Sequence, residues 1–190
     1  MAAAMVRIKI SEVKLARVRR QLAGFPRALP MILSRSINRT TTTARAQTAR
    51  LFGEKVNMKI TYIKKAMKRI TASRRKLKGV ISISPYRIAL SYFKGNRQKK
   101  TGVSYMIDKD TGRRILAHGF IQTMASGHKV ILKRQTSKRY PIMEPRGPSL
   151  GVIFESGRRK IGRRVRRSTR NTFIKNIDQQ VALALSKRTG

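Results

Sequence analysis

The sequence has 190 residues, 40% of them hydrophobic, which suffices for one domain with a true core, with or without arms. Its 46 Lys and Arg stand against 7 Asp and Glu, a formal net charge of +39; repulsion of that size opposes compaction and implies an acidic partner, namely nucleic acid, an acidic protein surface or an anionic membrane. Cysteine is absent and His118 and His128 are the only histidines, which excludes a disulfide framework, a thiolate nucleophile and a cysteine-based zinc site, and leaves no cofactor or metal to expect.

Residues 1–10 are partly apolar but far short of the ~20 residues of a spanning helix, and no other stretch comes near that length, so no membrane partner is expected. Residues 11–24 predict a helix, with Leu15, Val18 and Leu22 on one stripe, Ser11 as cap and Gly24 as stop. A longer helix is predicted from about Pro26–Pro30 to Gly53, with Leu29, Ile32, Leu33, Ile37, Ala44, Thr48, Leu51 and Phe52 at helical spacing. Threonine fills positions 40–43, and its branched side chain weakens a helix there. A short third helix over 61–70 carries Ile63, Met67 and Ile70.

The texture then changes to alternation. Residues 77–84 predict a strand, and 86–93 a second one with Tyr86, Ile88, Leu90 and Tyr92 on one face. Residues 103–107 and 115–121 flank Asp108-Lys109-Asp110-Thr111-Gly112, a hairpin-loop signal, and 130–132 form a further short strand. A proline- and glycine-rich connection starts at Tyr140. A basic run follows, with Arg158, Arg159, Lys160, Arg163, Arg164, Arg166, Arg167 and Arg170 in thirteen residues. Gly157 and Gly162 suggest flexibility there, and like charges this dense resist helix formation when unpaired. A last helix over about 168–187 carries Phe173, Ile177, Val181 and Leu185 on a narrow stripe. The expected fold is α+β: N-terminal helices including one long helix, a small antiparallel sheet of about four to five strands, and a C-terminal helix. Three parts are expected: a helical arm (1–24), an α+β core (25–157), and a basic linker with the last helix (158–190).

Catalytic signals are poor. The seven acids are scattered, and Asp108 and Asp110, the close pair, suit a turn. Gly147-Pro148-Ser149-Leu150-Gly151 matches GxSxG by letter, but no histidine follows Ser149 and the approach is proline-rich rather than a strand. His128, in Ser126-Gly127-His128, suits a turn between strands. The expectation is a protein that is not an enzyme. The basic clusters at 17–20, 64–68, 74–78, 97–100, 133–139 and 158–170 too far outnumber the acids to be only solvated faces. Contact with nucleic acid would be made to the phosphate backbone by charge, since no recognition motif or aromatic platform is present. The basic run is the candidate contact for nucleic acid or an acidic subunit, with general solubility as its plain alternative.

Residues 119–149 carry something more specific: Phe120-Ile121, Thr123-Met124, Ser126-Gly127-His128, Arg139, Pro141-Ile142, Glu144 and Gly147-Pro148-Ser149. Together with Ser36-Ile37-Asn38-Arg39-Thr40 in the long helix, these closely resemble the minor tail protein Z family of lambda-like phages and prophages, over about residues 25–155. The resemblance implies a structural tail-completion protein at the head-proximal end of a phage tail, active in tail completion, head–tail joining and genome positioning. Its implied partners are the tail terminator and neck or connector proteins, with packaged double-stranded DNA possible; its implied place is the virion, after the host cytoplasm during assembly. It implies no catalytic residue. Copies of the chain are expected in a closed ring. The other reading of the charge is a non-catalytic nucleic-acid-binding protein of the ribosomal or chromatin kind. Read physically, Phe120-Ile121 ends a strand, Ser126-Gly127-His128 turns the chain, Pro141-Ile142 stiffens the exit, and Gly147-Pro148-Ser149 bends it with Ser149 as a helix cap. Glu144 is expected to pair with Arg139 or Arg146.

Overall fold

The computed structural model of the chain describes residues 4–8, 12–21, 28–136, 138–156 and 161–186. The expected cap Ser11, Leu22, the stop Gly24, and Gly157, Arg158, Arg159 and Lys160 lie outside the described residues. The fold is α+β, built around one long helix, several small antiparallel sheets and a C-terminal helix.

The chain opens with a strand the sequence reading did not foresee, β1 (Ala4–Ile8), in which Ala4, Val6 and Ile8 are buried and Met5 and Arg7 exposed. Helix α1 (Glu12–Gln21) follows, with Val18 fully buried. Helix α2 (Leu29–Lys55) is the long helix, with Pro30 in its first turn and a length of about 40 Å at 1.5 Å per residue. The helix runs unbroken through its threonines. Thr40, Thr41, Thr42 and Thr43 each donate a hydrogen bond to the carbonyl four residues back, at 2.7, 2.7, 3.1 and 3.1 Å, so the hydroxyls are satisfied within the helix.

The third helix is shorter than expected. Helix α3 (Ile60–Lys65) stops, and Met67, Lys68, Arg69 and Ile70 form strand β2 (Met67–Ile70) instead. β2 pairs antiparallel with β3 (Gly79–Ile83), whose other neighbour is β1. This pairing buries Met67 against Ile83, and tertiary pairing outweighs the helical spacing of Ile63, Met67 and Ile70. The sheet lies on α2 so closely that a Cβ on Gly79 would come within 2.6 Å of both Ile37 Cγ2 and Thr41 Oγ1.

The single sheet of four to five strands is replaced by eleven strands in four small sheets among the described residues. β4 (Arg87–Ala89) is brief, because the chain then makes a 3-10 turn over Leu90–Tyr92. Asn96 captures that turn, its side-chain amide donating to the carbonyls of Leu90 and Phe93 at 3.0 and 2.8 Å. Tyr86, Ile88, Leu90 and Tyr92 therefore do not share a strand face: Leu90 is buried and Tyr86 exposed. β5 (Arg97–Lys99), β6 (Gly102–Tyr105) and β7 (Arg114–Ala117) form the second sheet, and the expected hairpin of β6 and β7 is present. The strand expected over 115–121 is broken at His118, whose φ of 58° turns the chain out of one sheet into β8 (Gly119–Thr123) of another. β8, β9 (Lys129–Arg134) and β10 (Ile142–Met143) make the third sheet, and β11 (Arg146–Ser149) pairs with β4. Phe120 and Ile121 thus lie within β8 rather than at its end.

Ser149 caps α4 (Leu150–Glu155) as expected, its hydroxyl accepting from Val152 N at 3.2 Å. The last helix, α5 (Ile161–Ser186), begins seven residues before the predicted start, inside the basic run. Gly162 is no hinge. It is buried in α5, and a Cβ there would meet the Phe154 carbonyl at 2.8 Å.

α5 packs antiparallel along α2. The cross-links run in opposite order on the two helices: Thr40 with Asn176, Gln47 with Ser168, Glu54 with Arg164. Two hydrophobic clusters lie along this pair. One gathers Ile32, Leu33, Ile37, Phe173, Ile177 and Val181 with Ile8 and Val18; the other gathers Ala44, Ala49, Phe52, Ile161 and Val165 with Ile81, Ile83 and Phe154. A buried polar belt crosses between them: Ser36, Thr40, Thr41 and Thr48 from α2, Thr169 and Asn176 from α5. Within it Asn176 Nδ2 donates to Thr40 Oγ1 at 2.9 Å, and Ser36 Oγ donates to the Asn176 carbonyl at 3.3 Å. Replacing Asn176 by alanine leaves a cavity and removes one buried hydrogen bond, so chemical denaturation should show a loss of about 1–3 kcal/mol. Asn171→Ala, at an exposed position of the same helix, should change stability by no more than about 0.5 kcal/mol.

Candidate functional site

Seven carboxylates are available to the whole chain, and the structure spends four of them visibly. Asp110 pairs with Lys55 at 2.8 Å, Glu155 with Arg166 at 2.8 Å, Glu54 with Arg164 at 3.8 Å and Glu144 with Arg146 at 3.9 Å. Asp110 belongs to the hairpin loop between β6 and β7, which is sewn to the end of α2. Lys109 Nζ donates to the Gly53 carbonyl at 2.6 Å and Lys109 N to the Lys55 carbonyl at 2.9 Å, which covers carbonyls a helix end leaves open. The Asp108-to-Gly112 loop is thus a structural clasp. Glu144 sits nearer Arg146 than Arg139, whose guanidinium lies over the Tyr140 ring at 5.7 Å.

The basic run divides by helical geometry. Ile161, Gly162, Val165 and Thr169 face inward, and Arg163, Arg164, Arg166, Arg167 and Arg170 are all exposed. Arg164 leans toward Glu54. Arg166 holds both oxygens of Glu155, at 2.8 and 3.0 Å, and stacks over Phe154 at 5.4 Å. These contacts tie α5 to α2 and α4 and offset part of the repulsion that opposes a helix here. Arg163, Arg167 and Arg170, at i, i+4 and i+7, form a row on which no described ion pair falls. The row points outward over about 10 Å of helix axis.

Other cations have structural uses. Arg113 donates to Ser104 Oγ at 2.9 Å, to the Ser104 carbonyl and to the Gly95 carbonyl; Arg45 donates to the Lys64 carbonyl at 2.7 Å. Asn38, in the Ser36–Thr40 segment, forms a matched pair with Ala72, donating to its carbonyl at 2.9 Å and accepting from its N–H at 2.7 Å. That clamp fixes the loop that presents Arg74, Arg75, Lys76 and Lys78, all exposed. One helical turn therefore holds a basic loop on one side, through Asn38, and α5 on the other, through Ser36 and Thr40.

The residues of the 119–149 segment do not gather at one point. Phe120 and Ile121 are half-buried in β8, with the Arg134 guanidinium 4.9 Å from the Phe120 ring centre, while Thr123 and Met124 are exposed where β8 ends. Ser126-Gly127-His128 is the turn into β9: Gly127 has φ 75°, and Met124 N donates to the His128 carbonyl at 2.9 Å. Pro141 follows a cis peptide bond, and Ile142 pairs opposite Arg134. Gly147 is buried against Leu90, Phe93 and Ile107, and Pro148 is half-buried beside it. What the structure does join is His128 and Glu144, on the walls of one cleft that Tyr62, Arg87, Tyr92 and Arg146 also line. Sequence reading missed this cleft. Tyr62 and Tyr92 lie thirty positions apart, and no local spacing marks their meeting.

The GxSxG match has a structural use. Ser149, the serine of the GxSxG match, is buried and spends its hydroxyl on the α4 cap. Among the described residues no cluster of His, Asp and Glu is placed to hold a metal ion, and no helix is long and apolar enough to cross a membrane. Compared with known proteins, the chain matches a family model described as prophage minor tail protein Z, over residues 13–187. No curated protein and no solved structure matches. Because Ser149 acts as a cap, Ser149→Ala should lower unfolding free energy by about 1 kcal/mol in a denaturation curve, and should leave any binding to polyanions unchanged.

Proposed function

The chain belongs to the prophage minor tail protein Z family, and from that premise we propose that it completes the tail at its head-proximal end, joining tail to head and helping to position the genome. The family membership makes it a structural protein of a phage tail, with its place in the virion. The finer role is a matter of shape and charge. The α+β body docks on the tail terminator and on neck or connector proteins, alongside further copies of itself in a ring, after synthesis in the host cytoplasm. Its cationic surface meets packaged duplex DNA, with Arg158, Arg159, Lys160, Arg163, Arg167 and Arg170 as the contact and acidic neighbouring subunits as the other polyanion within reach.

The observation that carries this reading is the outward row of Arg163, Arg167 and Arg170. The fold uses Arg164 and Arg166 internally and leaves these three facing solvent with no acid partner among the described residues, in a chain of net charge +39. Exposed cations that do no work in the fold are the groups a phosphate backbone recruits. Each neutralised phosphate releases condensed counterions, which favours binding without reading sequence.

The assembly role is tested by imaging particles made with and without the chain. Without it, tails should accumulate unjoined to filled heads; normal joining and normal DNA placement would refute the role. The contact is tested by duplex binding over a salt series. Replacing Arg163, Arg167 and Arg170 together by glutamine should reduce the slope of log K against log salt by up to about 2.7, that is ~0.9 for each lost phosphate contact. Stability should change little, because none of the three holds the fold. An unchanged slope would remove duplex DNA as the partner of this row.

A further inference from the structure

We propose that the cleft between α3, β4 and the β8–β9 turn is a docking site for an acidic peptide segment, carrying an aromatic or large aliphatic anchor, from a neighbouring protein. The site is separate from the arginine row of α5 and does not depend on the role given to that row.

The cleft encloses about 670 Å³, and its floor is apolar, with Met58, Ile88 and Leu150 among its lining residues. That is room for one anchoring side chain and a few residues of backbone. One wall is aromatic. Tyr62 and Tyr92 meet edge to face at 4.9 Å between ring centres, and His128 lies 5.9 Å beyond Tyr92. Tyr86, at the rim, is 79% exposed and presents its ring to an occupant of the cleft.

The rim chooses the partner's charge. Lys65, Arg87 and Arg146 line the cleft against one carboxylate, Glu144, which is already shared with Arg146 at 3.9 Å. The surplus is cationic, so the occupant is acidic. A backbone feature favours a peptide over a nucleic acid. β4 pairs with β11 alone among the described residues, and Arg87, Ile88 and Ala89 all line the cleft. The unpaired side of β4 can take an added strand, whose main-chain hydrogen bonds hold it while its side chains fill the cleft.

The test is a titration of the isotope-labelled full chain, followed residue by residue by NMR, with a synthetic pentapeptide of one phenylalanine between two pairs of aspartates. Shifts should concentrate at Ile88, His128 and Val130. Affinity should fall about tenfold with Arg87→Glu, and similarly with Lys65→Glu should the first variant not fold. It should also fall about tenfold when the peptide's phenylalanine is replaced by glycine, and stay unchanged with Arg167→Glu on α5. The proposal is overturned if the cleft does not respond at millimolar peptide, if the glycine peptide binds as well, or if Arg167→Glu rather than Arg87→Glu removes binding. It is equally overturned if an oligothymidine of the same charge shifts the cleft residues at equal or higher affinity, which would make the cleft a nucleic-acid site.

Discussion

The antiparallel contact of α2 and α5 is the constraint on which the other elements depend. Two long helices with apolar stripes could slide or reverse at modest cost, since apolar contact is not directional. The buried belt between the two hydrophobic clusters removes that freedom. Asn176 reaches Thr40, Ser36 reaches the Asn176 carbonyl, and Ser168 reaches Gln47, so another register would leave buried polar groups unsatisfied. Thr169 is the exception, its buried hydroxyl having no partner among the described residues. The same register places Gly162 against the Phe154 carbonyl and Arg166 on Glu155, which seats α4 as well. The Asn38 clamp on Ala72 and the close approach of Gly79 attach the β2–β3 loop and the first sheet to the other side of α2.

This frame explains how so cationic a chain folds. Charge is not spread evenly against charge; three of the seven acids sit where elements meet. Asp110 closes the hairpin loop on the end of α2, and Glu54 and Glu155 meet arginines of α5. Exposed pairs of this kind contribute little each, typically ~0–1 kcal/mol, so their value lies in position. Glu54 and Glu155 offset repulsion among the arginines at the start of α5, and Arg163, Arg167 and Arg170 face outward. A surface so unbalanced repels itself in isolation, and an acidic partner would relieve that repulsion.

The long helix was legible because period and length both announce it, and so were the β6–β7 hairpin and the Ser149 cap, whose signals are local. The errors have a common physical origin. Met67 and Ile70 satisfy a helical spacing, but β3 offers them a ladder, and pairing across sequence decides. β1 escaped notice because its partner lies more than seventy residues away, although Ala4, Val6 and Ile8 alternate in the manner of a strand. The sequence predicts one sheet where four exist among the described residues, because the chain changes sheets at single residues, such as His118, that carry no distinctive letter. The basic run was read as resisting a helix when unpaired, a correct statement whose condition fails, since Glu54 and Glu155 arrive from other elements. For the site, the outward arginines could be counted from sequence but not sorted. The cleft of Tyr62, Tyr92, His128 and Glu144 could not be seen at all, because four separate segments build it.

The central claim is that this surplus of cations is a contact surface inside a tail and not an incidental property of a free protein. The most direct measurement is a reconstruction of the whole particle at a resolution that traces the chain. The account predicts its density at the head-proximal end of the tail, with the face bearing Arg163, Arg167 and Arg170 against DNA or an acidic subunit. Density elsewhere in the particle, or that face turned to open solvent, would contradict it.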